Sequence, residues 1–206
     1  ALVLLPVSVL AGRWLAWGEF RGKGLVEALV MLPLVLPPTV LGFYLLVGMG
    51  VDSPLGRVWT ALTGGDLVFH FSGLLLACVL VNIPFAVMPS QRAFEAISPD
   101  VRDAARCCGM SPWQALWRVE LPLAWPGVLS AAVLSFAHTL GEFGVVLMVG
   151  GSIPGETRTV AIAIYDRVQA YDMAAAGSMS AVLVLVSLST IALTFALSRR
   201  AGRRLR

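Results

Sequence analysis

The sequence is short of charge, of cysteine and of any nucleotide-binding motif, and each shortage excludes something. Asp, Glu, Lys and Arg make up 13% of the 206 residues, where a soluble domain carries roughly 25%. With 58% hydrophobic residues and a mean hydropathy of +0.83, the chain reads as a polytopic membrane protein. One or two soluble domains, which the length alone permits, are excluded by the long apolar runs. Cys78, Cys107 and Cys108 form neither a metal-spaced set nor an even disulfide framework. They are expected to be small buried or half-buried residues, the vicinal pair in a reducing cytosol. His138 and Glu142 lack further ligands at metal spacing, and no other pair approaches a nucleophile–base set. No Gly-x-x-x-x-Gly-Lys-Ser/Thr run occurs, so the chain does not hold ATP by that route. No convincing internal repeat and no signal peptide stand out. The net charge of +3 gives no reason to invoke nucleic acid; its placement serves instead to orient the chain.

What is present is apolar and segmented. Ala1–Trp17 is shorter than the about 20 residues a span needs. It is expected to be the last part of a truncated first helix, with Arg13 snorkelling beside Trp14 and Trp17 at the interface. Glu27–Met49 is long enough but is interrupted by Pro33, Pro37 and Pro38. Such breaks survive in a membrane where protein or a water-filled cavity satisfies the freed backbone. A pathway-lining helix is favoured over a kinked packing helix, because three prolines in six residues exceed what one kink needs. Residues 50–69 read as a loop. Ser72–Pro89 is the third span, with Asn82 as interhelical glue. Pro126–Val149 is the fourth, carrying His138, Glu142 and the small residues Ala137, Gly141 and Gly144, which allow close helix approach. In the polar stretch 150–172, Val160, Ile164 and Val168 recur at helical spacing and predict a short surface helix. Ala174–Leu197 is the fifth span, followed by Arg199, Arg200, Arg203, Arg204 and Arg206. Placing that tail inside puts eleven Lys and Arg in the cytoplasm against Arg57, Arg158 and Arg167 outside, a positive-inside arrangement. The reading is an all-α polytopic membrane protein with five transmembrane helices, a single domain over 1–206, and a cytoplasmic C-terminus.

The stretch 91–122 is the polar exception, and the orientation places it in the cytoplasm. Ser98-Pro99-Asp100 has the chemistry of an N-cap, a first helical proline and a first-turn acid. Gly109 is placed to end that helix in the left-handed conformation. Ser111 and Gln114 sit at capping-box spacing for a second helix, which Pro122 is expected to stop. Asp103-Ala104-Ala105, three residues, Gly109, nine residues, Val119, one residue, Leu121-Pro122 resembles the EAA motif of ABC importer permeases. Asp replaces Glu and Val replaces Ile; the spacing is kept throughout. The resemblance implies a type I ABC importer permease fold, in which 91–122 is a coupling loop docking into a cleft on an ATPase subunit. The implied coupling residues are Asp103, Ala104, Ala105, Arg106, Gly109, Val119, Leu121 and Pro122. The chemistry suits that role: small Ala104 and Ala105 admit a close partner surface, Gly109 sets the angle between two short helices, and Asp103 and Arg106 lie at i and i+3.

Three further stretches resemble the oxyanion permeases of this family. Leu32–Gly42 matches their proline-broken helix, and Leu140-Gly141-Glu142-Phe143-Gly144 matches a shared signature. Ile153–Thr159 with Ala163-Ile164-Tyr165 is more like the molybdate branch. One departure is His138, where the pattern has Arg. Pathway or gate candidates are therefore Pro33, Pro37, Pro38, Thr39, His138, Gly141, Glu142 and Gly144. A carboxylate repels an anionic cargo, so Glu142 is expected to pair with His138 or with backbone donors and hold two helices in register; a gate role is the rival. Thr157, Arg158 and Thr159 are outer-face candidates for attracting an oxyanion or a binding protein, against the alternative of a solvated loop. The resemblance further implies a pore subunit and not an enzyme, with no metal or cofactor of its own. Two copies in a bacterial or archaeal cytoplasmic membrane work with two ABC ATPase subunits, which bind ATP and Mg, and with a periplasmic or extracellular oxyanion-binding protein. The expected cargo is molybdate or tungstate; sulfate or thiosulfate import is the alternative, and a secondary transporter the more remote one.

Overall fold

The computed structural model describes residues 3–204, and of residues 194, 195 and 197–204 the backbone alone. The side chains of Arg199, Arg200, Arg203 and Arg204, and all of Ala1, Leu2 and Arg206, lie outside the described residues. Every regular element among the described residues is helical: α1 (Leu4–Trp17), α2 (Lys23–Val35), α3 (Pro38–Met49), α4 (Pro54–Thr63), α5 (Phe71–Glu95), α6 (Pro99–Cys107), α7 (Pro112–Ala115), a π-turn (Leu116–Glu120), α8 (Leu121–Gly141), α9 (Gly144–Gly150), α10 (Val160–Gln169) and α11 (Met173–Arg204). Among the described residues three stretches are long and apolar enough to cross a membrane: α5, the continuous run Pro112–Gly141, and Met173–Leu193 of α11. Helices α2 and α3 pass the same test together but are bent by 110° at their break. Helix α1 is apolar and only 14 residues long. Each expected span thus has an apolar helix; among the described residues length and composition alone define three crossings, or four with the bent pair, and do not confirm a fifth.

Four boundaries differ from the sequence-based expectation, each for a local reason. The expected loop 50–69 carries α4, because its turn residues act as caps. Ser53 Oγ accepts from Gly56 N–H at 2.8 Å, Pro54 is the first helical residue, and Gly64 ends the helix at φ 74°. Helix α5 continues through Pro84 and Pro89 to Glu95, so the polar stretch from residue 91 opens in a helix. An interior proline costs about 3 kcal/mol, and the burial of Phe94, with no exposed surface, offsets it here. Pro122 does not stop the second short helix, which passes through the π-turn into α8. In an α-helix the Pro122 ring would strike the carbonyl four residues back; the wider i→i+5 turn before it relieves that contact. Finally, the span 126–149 is interrupted at Glu142 and Phe143.

Packing divides the chain into two compact units. The first comprises the N-terminal part through Met31, Ile83–Phe136 and the end of α11 from Thr190; the second is Leu32–Asn82 with Ala137–Ser189. The first is centred on Phe94, Ile97, Leu116, Ala124 and Val128, flanked by Leu5, Val9 and Trp17. Its helices meet at small residues, as membrane helices do. A Cβ on Gly12 would lie 2.8 Å from Gln91 N, and one on Gly127 2.3 Å from Ala93 Cβ. The second unit buries Met49, Leu67, Ala77, Val81, Val145 and Val149 in one cluster and Leu74, Val146 and Ile162 in another. Helix α10 forms where expected, but its buried residue is Ile162, while Val160 and Val168 are exposed. Asn82 is fully buried and donates from Nδ2 to Cys78 O on its own helix at 2.7 Å, so the amide is not interhelical glue. Cys78 is half-buried as expected; Cys107 and Cys108, the last residue and the C-cap of α6, are exposed.

Candidate functional site

The helix–Gly–helix element assembles as its capping residues predict. Ser98 Oγ accepts from Asp100 N–H at 3.3 Å, with Pro99 first in α6. Gly109, at φ 73°, closes α6: its N–H bonds Arg106 O at 2.9 Å, and Met110 N–H bonds Ala105 O at 3.2 Å. The second bond reaches back five residues, the pattern that satisfies terminal carbonyls beyond a left-handed glycine. Ser111 and Gln114 form the reciprocal capping box, at 3.3 and 2.9 Å. The element is therefore a rigid corner and not a linker.

Its faces are unequal. Asp103, Ala104, Arg106 and Gly109 are exposed, and Arg106 donates to Asp103 at 3.1 Å. Ala105 is 5% exposed and faces the interior of its own chain. Of the two alanines singled out from the sequence, only Ala104 offers a surface to a partner. Val119 is half-buried in the π-turn, Leu121 packs on the core around Phe94, and Pro122 is exposed.

Two ties from α1 to this element were not legible in the sequence. Arg13 donates to the Glu120 carboxylate from Nε and from a terminal nitrogen, at 2.5 and 3.2 Å. Glu120 is 5% exposed at its side chain and Arg13 28%; Arg13 is thus an ion-pair partner and not a snorkelling cation. One turn on, the Trp17 ring lies 3.8 Å beneath the Arg102 guanidinium of α6, a cation–π contact. Burial, and the neighbouring Arg106 charge, push the Arg102 guanidinium below its ordinary value. The available signal was a lone acid, Glu120, inside the Val119–Pro122 motif, together with a lone cation in an apolar helix.

The pathway candidates gather at two helix breaks in the second unit. Pro33 lies inside α2, Pro37 caps α3, Pro38 is its first residue, and Thr39 is exposed beside it. Gly144 opens α9 directly against Pro38; a Cβ there would come to 2.7 Å from Pro38 Cβ. Farther along the same helix pair, a Cβ on Gly42 would come to 2.9 Å from Met148 Cβ. Gly141 has nothing within 4 Å of such a position, so it does not mediate helix approach. Glu142 is buried, and its Oε1 accepts Val145 N–H at 3.0 Å, capping α9. Its Oε2 lies 3.7 Å from His138 Nε2, beyond hydrogen-bond reach. Among the described residues no group of three or more His, Cys, Asp or Glu could hold a metal.

The outer-face candidates are each engaged within the chain. Thr157 is buried, donating from Oγ1 to Gly150 O at 2.6 Å and accepting from Ile153 N–H at 3.2 Å. Thr159 Oγ1 accepts from Ile162 N–H at 3.4 Å and caps α10. Arg158 pairs with Asp166 at 2.5 Å, and Ser152 donates to the same carboxylate at 3.0 Å. The Arg158 hydrogen bond holds the Asp166 carboxyl below its ordinary value.

A multi-helix apolar chain interrupted by a capped, exposed polar corner defines a polytopic membrane protein. This chain belongs to the family of binding-protein-dependent transport system inner membrane components, whose sequence profile matches residues 6–206. It is 50% identical over 186 residues to a molybdenum transport system permease protein of Azotobacter vinelandii, covering 90% of this chain and 82% of that one. It is 32% identical to a sulfate transport system permease protein of Synechocystis, over 98% of this chain and 74% of the relative. The fold is that of ABC importer permeases. A bacterial alginate importer superposes with a TM-score of 0.71 at 16% identity, over 97% of this chain and 76% of the other. A methionine transporter gives 0.65 at 18% identity, over 97% and 92%.

Proposed function

We propose that this chain is the pore-forming permease subunit of an ABC importer that moves molybdate or tungstate into the cytoplasm. The observation that carries the reading is the 50% identity to a molybdenum permease over most of both chains, against 32% to the sulfate relative. The exposed corner formed by α6 and α7 supports it: a rigid, capped surface on a membrane chain suits docking by a soluble motor.

Two copies of the chain form the translocation pathway, with two ATPase subunits seated on Asp103, Ala104, Arg106 and Gly109. ATP and Mg are held by those subunits. Their closure moves both corners and shifts the pathway between inward- and outward-facing states, a two-state element biased by a ligand bound at a distance. A periplasmic or extracellular binding protein delivers the oxyanion and supplies most of the affinity. The C-terminal arginines lie in the cytoplasm by the positive-inside distribution.

The test is uptake of labelled molybdate into cells lacking their own transporter, with this chain and its partner subunits restored. The expected result is uptake that requires the ATPase and is competed by tungstate but not by sulfate. Competition by sulfate would move the cargo to the sulfate branch, which the 32% relative favours as second reading. Uptake without the ATPase would refute the importer reading.

A further inference from the structure

Helix α1 is held to α6 and to the π-turn that follows α7 by residues one turn apart. Arg13 reaches Glu120 in the π-turn through two hydrogen bonds, and Trp17 stacks under Arg102 of α6. Arg13 also lies 5.2 Å from the Trp17 ring, so the four side chains form one connected group. Helix α1 is also seated on α5 at Gly12, where no side chain fits. Toward its N-terminal end, α1 and the run from α7 into α8 part around an open apolar groove of about 300 Å³. Leu5, Val9 and Leu10 wall it on one side, and Trp113, Trp117 and Trp125 on the other. Leu5 and Val9 still pack on the apolar core beside the groove, so the charged group adds to that non-directional seat a polar tie of fixed geometry at the other end of α1. A buried ion pair is poor value as glue, because desolvation cancels much of its attraction; its attested use is to fix register between elements.

We propose that Arg13 and Trp17 are positioning residues of the transport cycle: through Glu120 and Arg102 they lock α1 to the coupling corner, so that α1 follows when the ATPase moves it. This rests on the ATPase-coupled reading above. None of the four side chains need touch the cargo.

The experiment uses the complete importer, with its ATPase and binding protein, reconstituted in proteoliposomes. The double variant Arg13→Met/Glu120→Leu removes both charges at similar volume, a replacement that leaves folding neutral or improved. Three quantities are read: ATPase co-purifying with the permease, melting temperature, and molybdate accumulated per ATP hydrolysed. Expected are wild-type values for the first two and a fall of about tenfold in the third, within the range of coupling free energies between sites. Arg13→Lys, which keeps the charge but not the fork, is expected to retain most of the wild-type ratio. A double variant that transports at the wild-type ratio would overturn the inference. So would loss of the ATPase or a lower melting temperature, which would make the pair an assembly element, and so would a Lys variant no better than the apolar one. If the wild-type importer takes up no molybdate while its ATPase is bound, the functional reading falls and this inference with it.

Discussion

The two glycines of the Gly141–Gly144 run look alike in sequence and stand in different places, and alanine at each separates their roles. At Gly144 an added Cβ would meet Pro38 Cβ at 2.7 Å, where ordinary contacts begin at 3.4 Å. Relief therefore requires α3 and α9 to part by about 0.7 Å at that point. Pro38 cannot swing aside, because its ring is fixed to the backbone. Forcing one extra carbon into a packed contact costs about 1–3 kcal/mol. The gain in helix propensity from replacing glycine, about 1 kcal/mol in a helix interior, is smaller at the first residue of α9. A net loss of about 1–2 kcal/mol follows, roughly a five- to thirty-fold change in the folded ratio. At Gly141 nothing lies within 4 Å of the new carbon, so Gly141→Ala is expected to be neutral or to stabilise by up to about 1 kcal/mol. The assay is thermal melting of the purified complex in detergent, followed by molybdate uptake in cells. Gly144→Ala should melt about 2–8 °C lower and transport poorly, and Gly141→Ala should match wild type in both. Equal effects at the two positions, or a silent Gly144→Ala, would refute the packing argument.

The alanines of the corner give a second contrast. Ala105→Arg places a charge where the site is 5% exposed and should lower the amount of folded protein in the membrane. Ala104→Arg, on the exposed face, should leave that amount unchanged and abolish ATPase co-purification. Gly109→Pro demands φ near −65° where the chain holds 73° and removes the N–H that bonds Arg106 O; membrane insertion should persist while ATP-driven uptake is lost. Glu142→Ala removes the acceptor for Val145 N–H and should cost about 1 kcal/mol of stability. Glu142→Gln keeps an acceptor oxygen and should be milder, with the molybdate-to-sulfate preference unchanged in competition uptake for both. Asp166 has its folded pKa held below the ordinary 3.8 by the Arg158 hydrogen bond. Its contribution is present above that value and is lost as pH falls through the folded pKa, so faster amide exchange in the loop 152–159 should begin only below about pH 4. Asp166→Asn should show the same opening at neutral pH.

How much was legible depended on how local the cause was. The caps of α6 and α7 were, because Ser98, Gly109, Ser111 and Gln114 act on backbone groups within five residues of themselves. The proline-rich break before α3 was visible for the same reason. Helix ends set by tertiary burial were not: Pro89 reads as a stop, yet Phe94 carries α5 past it. The role of Pro122 depended on a π-turn, which composition does not announce. Thr157, Arg158 and Thr159 had functional chemistry in sequence, but their partners Gly150, Asp166 and Ile162 lie three to eight residues away across a folded turn. The Arg13–Glu120 pair spans 107 positions, and no periodicity connects residues so far apart.

The two breaks at α3 and α9 meet because each is satisfied from within the chain. A helix start in a membrane presents unbonded N–H groups that must find an acceptor. Pro37 and Pro38 bring no N–H to the start of α3. At α9 the Glu142 carboxylate accepts the Val145 N–H. The same two features that make the interruptions tolerable remove donors an oxyanion would use, and Glu142 adds a repelling charge. Anion selection at these helix starts is therefore unfavourable on electrostatic grounds. Their fitted contact, Pro38 on Gly144, suits instead a place where two short helices shift against each other without exposing backbone. Substitutions there should alter the rate of transport well before they alter which oxyanion is carried. A Gly144 variant that exchanged molybdate preference for sulfate at an unchanged rate would show that the break reads the cargo after all.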